Sequence, residues 1–190
     1  MRIVFCGVGA LGSTAAVACR NLDATLRLID FDRVESKNLL AQAFVKPSVG
    51  KNKAAALKLQ LANFWGLNVE AFGVRLELHN GHELLGAGDL LVDCFDNIRS
   101  RLLVSEFARN HGKPCVHGAL AADGSFGLVR WDERFEPDEE GEEGQGTCEG
   151  GEHLPMIQLV ASTLARTIQD FVRTGAKHDS MVSLNGVMRT

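Results

Sequence analysis

No stretch of this sequence reaches the run of about 18 apolar residues that a membrane-spanning helix needs, which excludes a helical span. None of its five cysteines stands in a C-x-x-C pair, so a paired-cysteine metal knuckle is excluded as well. Lys and Arg form no concentrated run and the aromatics form no stacking module, so nucleic-acid binding finds no support. No basic-then-apolar leader precedes the first apolar run, which starts at residue 2 or 3, and a cytoplasmic location is expected.

What is present fits one compact domain over residues 1–190: the chain is 190 residues long and 45% hydrophobic. The net charge of −4 is unevenly spread. Residues 132–152 hold ten of the 24 acids and one of the 20 bases (Arg134), leaving 14 acids against 19 bases elsewhere. This reads as a mildly basic body carrying an acidic, solvated and flexible loop. Cys6, Cys94 and Cys115 sit in apolar strand-like runs and Cys19 in the first helix, all as small buried residues. Cys148 lies apart, in a polar, glycine-rich stretch.

The stretch around which the chain is organised is Arg2 to Gly12. Ile3 to Cys6 read as a buried parallel strand, and Gly7, Gly9 and Gly12 form a G-x-G-x-x-G turn opening a helix. The first glycine permits the tight turn, the second lets a phosphate approach the backbone, and the third lets helix and strand pack closely. Free N–H groups and the dipole at that helix start favour an anionic ligand, here a nucleotide phosphate. A second apolar strand, Thr25 to Ile29, ends in Asp30, 18 residues after Gly12, where a carboxylate reaches a ribose hydroxyl.

Further along, the spacing of Ala54, Leu57 and Leu61 predicts a helix from Lys51 to about Asn63, and Val69 to Val74 a third strand. His79-Asn-Gly-His82 reads as a loop. Asp89 to Cys94 is a buried strand running into Phe95-Asp96-Asn97, where a helix to Asn110 begins with Arg99 and Arg101 near its start. Pro114 to Ala119 is a strand, and Phe126 to Trp131 an antiparallel one, since the link between them is too short for a crossover helix. A long helix spans about Pro155 to Arg173, and Met181 to Val187 closes the sheet. The fold class is therefore α/β: a Rossmann-like open twisted sheet, parallel in its first half with antiparallel strands added in the C-terminal half. Gly9, Asp30 and Asp96 should project at the carboxyl ends of the strands.

Three features go beyond a generic nucleotide-binding sheet. They are Asp30-Phe-Asp32-Arg-Val34-Glu-Ser-Lys-Asn38-Leu39-Leu-Ala41-Gln42, then Gly50-Lys-Asn-Lys53, then Asp93-Cys-Phe-Asp96-Asn97. With the glycine turn, these resemble the ThiF/MoeB/HesA family, the adenylating half shared with ubiquitin-activating enzymes. The family pattern is G-x-G-x-x-G, D-x-D-x-V-x-x-x-N-L-x-R-Q, G-x-x-K and D-x-x-D-N. Thr147-Cys148 and the following glycines also look like the family's late T/N-C-x-x-x-G stretch, so the resemblance covers nearly the whole chain.

The resemblance implies an adenylyltransferase that uses Mg²⁺ and ATP to activate the C-terminal glycine carboxylate of a ubiquitin-like or sulfur-carrier protein ending in Gly-Gly. It further implies that Gly7, Gly9, Gly12, Asp30, Asp32, Asn38, Gln42, Lys53, Asp96 and Asn97 bind the nucleotide. Asp30 would hold the ribose, Asn38 and Lys53 the phosphates, and Asp96 the Mg²⁺, a hard cation suited to carboxylate and phosphate oxygens. Lys53 and Asp96 would be catalytic, together with Cys148 as acceptor for a thioester or persulfide. Read as residues alone, Asp96 also suits the N-cap of the helix beginning at Asn97, and Lys53 a solvated helix position. The acids around Cys148 oppose thiolate formation, which His153 would offset if it folds close.

Ala41 stands where the pattern has arginine, removing one phosphate-clamping charge. Relatives carry an arginine on a helix before the first strand that reaches the partner subunit's ATP. A homodimer, or a heterodimer with a fuller relative, is accordingly expected. Two other readings stay open: a non-catalytic ThiF-like scaffold subunit, and an NAD-dependent oxidoreductase resting only on the glycine turn and Asp30.

Overall fold

The computed structural model describes residues 1–136 and 151–190. One eight-stranded sheet runs through it in the order β3-β2-β1-β4-β5-β6-β7-β8. The strands β1 (Arg2–Cys6), β2 (Thr25–Ile29), β3 (Val69–Phe72), β4 (Leu90–Asp93) and β5 (Cys115–Leu120) are parallel. To them β6 (Phe126–Trp131), β7 (Ser180–Ser183) and β8 (Gly186–Arg189) are added antiparallel, as expected from the sequence.

The helices are α1 (Ala10–Ala18), α2 (Lys53–Trp65), α3 (Gly81–Leu85), α4 (Ile98–Asn110) and α5 (Leu154–Thr174). The alternation along β1 shows how they are layered. Ile3 and Phe5 join a core with α1, α2 and α5, whereas Val4 and Cys6 join a second core with α3 and α4. A strand covered on both faces reads as a continuous apolar run, which is why β1 and β4 were legible. Between β1 and β4 the chain order reverses, with β2 and β3 on one side and β5 on the other. Ligands of open α/β sheets bind outside the strand ends at such a switch point.

Besides shifts of one or two residues, such as β3 ending at Phe72 and not Val74, four features differ from the sequence reading. Helix α2 starts at Lys53 because Asn52, not a residue further back, accepts the Ala55 N–H at 3.0 Å and caps it. The stretch Met181 to Val187 is not one strand but the hairpin β7–β8, with Ser183 paired to Gly186 across Leu184 and Asn185. Asn185-Gly186 is the turn signal that an apolar run on both sides masked. His82 lies in the short helix α3, while His79 stays outside it and pairs with Glu77 at 3.1 Å.

The fourth concerns the acidic stretch. Asp132 is not a solvated loop residue: it is buried in the 3₁₀ turn Asp132–Arg134 and bonded to Ser105, Arg109 and His117. Cys148, and the acidic stretch from residue 137 to residue 150, lie outside the described residues.

Candidate functional site

The glycine turn joins β1 to α1 at the switch point. Gly7 adopts φ 85°, a left-handed conformation that side-chain-bearing residues rarely take. Beside it, a Cβ on Gly12 would stand 2.0 Å from the Gly7 carbonyl oxygen, so helix and turn touch backbone to backbone. Gly9 differs: a Cβ there would meet nothing within 4 Å. That open cradle, at the N-terminus of a nine-residue helix, is where a phosphate group fits.

Asp30 ties this turn to the next strand. Its Oδ2 accepts the Val8 N–H at 2.8 Å and its Oδ1 the Asp32 N–H at 2.9 Å. Burial pushes its carboxyl above the ordinary range, against the opposing pull of Lys53 and the two backbone donors.

Lys53, the first residue of α2, is 8% exposed and places Nζ 3.1 Å from Asp32 Oδ2. The side chain is thus directed into the crevice and is not a solvated helix lysine. Asn52, which sequence reasoning missed, makes this possible. Besides capping α2, its Nδ2 donates to the carbonyls of Asp30 at 2.8 Å and Asp32 at 3.1 Å, binding the helix start to the end of β2. Replacing Asn52 with alanine removes both roles and is expected to cost about 1–2 kcal/mol, measurable by urea unfolding. The only signal for it in the sequence was an Asn immediately before an amphipathic run.

The turn from Ser36 to Gln42 lies alongside, docked on α1 through the Ala43 N–H, which donates to Ser13 Oγ at 3.0 Å. Asn38 is buried and accepts the Glu35 N–H at 2.8 Å, shaping this turn. Gln42 keeps a buried Oε1 with no hydrogen-bond partner among the described residues, an acceptor suited to a ligand hydroxyl. Ala41 is packed into the core beneath, so this turn carries no buried cation. Among the described residues the buried Lys and Arg side chains are Lys53 and Arg27, and Arg27 is engaged with Glu70 and the carbonyls of Glu83 and Leu84.

At the end of β4 the chain turns over Gly7: a Cβ on Gly7 would lie 3.0 Å from the Cys94 carbonyl and from the Phe95 ring. Asp96 follows, exposed, with no hydrogen bond or ion pair among the described residues. The N-cap of α4 is Asn97, whose Oδ1 accepts the Ser100 N–H at 2.9 Å. Asp96 is therefore released from helix capping, and its carboxylate, beside the glycine turn, is unengaged among the described residues. The structure brings Gly7, Gly9, Gly12, Asp30, Asp32 and Lys53 into one contact network, with Asp96 and Asn97 on the turn packed against it.

Cys6, Cys19 and Cys115 are buried as the sequence suggested, whereas Cys94, at the end of β4, is only partly buried. Burial pushes the thiols of Cys6 and Cys115 well up and that of Cys19 up to about 12, and the thiol of Cys94 is raised for the same reason. None of the four is poised as a nucleophile.

A profile of the ThiF family matches residues 1–174. The chain is similar to the sulfur carrier protein adenylyltransferase of Thermus thermophilus, 42% identical over 96 residues, 49% of this chain and 35% of that protein. It is also similar to the sulfur carrier protein ThiS adenylyltransferase of Bacillus subtilis, 33% identical over 136 residues, 67% of this chain and 39% of that protein. The chain thus spans well under half the length of these relatives. In fold it resembles Escherichia coli MccB crystallised with ATP, with a TM-score of 0.78 at 15% identity over 100% of this chain and 63% of that one. Since the profile runs from the first strand through the last long helix and its motif residues meet around one crevice, the chain belongs to the ThiF family.

Proposed function

We propose that this chain catalyses ATP-dependent adenylation of the C-terminal glycine carboxylate of a ubiquitin-like or sulfur-carrier protein. The observation that carries this reading is the pairing of a buried, directed Lys53 with a free Asp96 on either side of the glycine turn. A dinucleotide site needs the turn and Asp30 but has no use for either of these. The relatives from Thermus thermophilus and Bacillus subtilis, both sulfur carrier protein adenylyltransferases, support the same substrate class.

In this reading the substrate carboxylate attacks the α-phosphorus of ATP, and the bond from that phosphorus to the bridging oxygen breaks to release pyrophosphate. Two anions must meet, so cationic charge has to be in place beforehand. Lys53 supplies it, held by Asp32 until phosphate oxygens compete for the ammonium. Asp30 fixes the glycine turn through Val8 and keeps lone pairs for the ribose hydroxyls. The α1 N-terminus and the open face of Gly9 receive phosphate, and Gln42 Oε1 accepts from a nucleotide hydroxyl. Asp96, a hard and unencumbered carboxylate, would hold Mg²⁺, which when bound neutralises charge on the phosphates.

Two parts of the reading lie further out. Thioester transfer through Cys148 belongs to it as a second stage, in which the thiolate sulfur attacks the acyl carbon and AMP leaves; transfer through a Cys148 persulfide would in addition need a sulfane-sulfur donor to load the cysteine first. A homodimer, or a heterodimer with a related subunit, would supply the second cation that Ala41 leaves missing. A non-catalytic scaffold is the alternative that the core-packed Ala41 favours. Pyrophosphate–ATP exchange decides between the two: exchange that depends on a carrier protein with an intact Gly-Gly terminus supports the enzyme. ATP binding without exchange, alone and with related subunits added, supports the scaffold.

A further inference from the structure

Beneath the turn that carries Asp96 lies a buried polar chain that the adenylation reading does not use. His117, on β5, is 2% exposed. Its Nδ1 lies 2.9 Å from Asp93 Oδ2 and its Nε2 3.1 Å from Asp132 Oδ1. An ionised carboxylate only accepts, so a nitrogen facing one needs a proton, and here both nitrogens face one. The ring is therefore an imidazolium bridging two carboxylates.

The neighbours fit that state, except that the Arg101 guanidinium opposes the charge on the ring. From β4 comes Asp93, whose Oδ2 also accepts from Arg101 Nε at 3.0 Å. From α4 come Arg101, Ser105 and Arg109, at i, i+4 and i+8 on one face. Ser105 Oγ donates to Asp132 Oδ1 at 2.6 Å and Arg109 Nε to Asp132 Oδ2 at 2.7 Å. From β5 itself comes Cys115, whose Sγ lies 3.5 Å from Nε2, its thiol kept protonated by burial. Phe135 closes the cluster, stacked on the imidazole at 3.8 Å between ring centroids and 5.0 Å from the Arg101 guanidinium. Burial lowers the ring's affinity for its proton, but the bonds to Asp132 and Asp93 outweigh it and the His117 pKa is raised.

The cluster reaches the crevice through one carboxylate. Asp93 Oδ1 accepts the Phe95 N–H at 3.1 Å, which fixes the turn lying on Gly7 and leading to Asp96. We propose that His117 is a positioning residue for this site: bridging Asp93 to Asp132, it locks the Cys94–Asp96 turn so that Asp96 and the glycine turn stay aligned for Mg·ATP. This rests on the adenylation reading for its ligand. Loss of the ring proton sets a nitrogen lone pair against a carboxylate, the bridge opens, and the turn loses its anchor. Cys115 Sγ, His117 Nε2 and Asp132 Oδ1 lie within 4.8 Å of one another, a spacing that also suits a divalent metal. Ser105 and Arg109 already complete Asp132, however, so a proton satisfies the set.

The test follows the ring and the ligand together, in the whole protein. Nitrogen-15 NMR of the imidazole is expected to show both N–H groups at neutral pH. Mg·ATP affinity, measured across the titration of that ring, is expected to weaken about tenfold as the proton leaves, the scale on which outer-shell partners act. Asp132→Asn keeps an acceptor but removes a charge. It should move the midpoint of this profile to lower pH while leaving the affinity at low pH intact, which loss of packing alone would not do. His117→Gln should bind weakly with no such pH dependence. Exchange of the Phe95 amide, read without nucleotide, should quicken with the same midpoint.

A ring with a single N–H at neutral pH, a Phe95 amide indifferent to His117→Gln, or stoichiometric metal in the purified protein would each overturn the proposal. Absence of Mg·ATP binding at every pH, with Phe95 exchange still following the ring, would overturn the nucleotide reading and support the clamp.

Discussion

Gly12→Ala is expected to unfold the nucleotide turn and to lower global stability by about 3 kcal/mol or more. The new Cβ would stand 2.0 Å from the Gly7 carbonyl oxygen, a backbone atom with no rotamer to escape into. Gly7 is itself held by its N–H to the Ile29 carbonyl at 2.9 Å, so relief requires α1 to move off β1. That movement would break the Val8–Asp30 bond as well. Gly9→Ala makes the contrast. The Gly9 φ is −72°, and a Cβ there meets nothing within 4 Å, so stability should stay within about 0.5 kcal/mol of the parent. The methyl would nevertheless fill the phosphate cradle, and nucleotide affinity should fall. Urea unfolding and nucleotide titration on the two variants separate the packing glycine from the binding glycine.

Lys53→Met is expected to reduce pyrophosphate exchange by about 10²–10³-fold while leaving the fold in place. Methionine keeps the buried stem of the lysine and removes only the ammonium. Its ion-pair partner Asp32 is half-exposed, with 48% of its side chain accessible, and buried Asp30, which loses the pull of the ammonium, keeps the backbone donors of Val8 and Asp32. The stability change should therefore be within about 1 kcal/mol, the range of exposed ion pairs. A comparable loss of exchange and of stability would mean that Lys53 is a packing residue and not the charge of the crevice.

Much of the architecture was legible because local chemistry and global fold agree. β1 and β4 read as strands since both faces are covered, and α5 read as a helix from one apolar face opened by Pro155; the structure ends it at Gly175, which takes φ 72°. The glycine turn, Asp30 and Lys53 could be placed because sequence neighbours dictate them: a strand end, a turn, a helix start. The crevice cluster beneath was not legible. Asp93, His117 and Asp132 come from β4, β5 and the turn after β6, and only sheet pairing sets Asp93 beside His117. Asp132 opens a run of acids and was read with them, although tertiary contacts to α4 bury it. Asn52 and Asn97 show a smaller limit, since each caps a helix one residue away from where the apolar pattern starts. The β7–β8 hairpin was lost because the period of its apolar residues continues through the turn.

In the proposed function, the crevice at the β1–β4 switch point is a Mg·ATP site built on the carboxylate of Asp96. Calorimetric titration of the purified protein with Mg·ATP, with NADH as control and Asp96→Ala alongside, tests it most directly. The account predicts binding of Mg·ATP and not NADH, weakened at least tenfold, about 1.4 kcal/mol, in an Asp96→Ala protein of unchanged stability. Binding of NADH alone, or Mg·ATP affinity indifferent to Asp96→Ala, would contradict it.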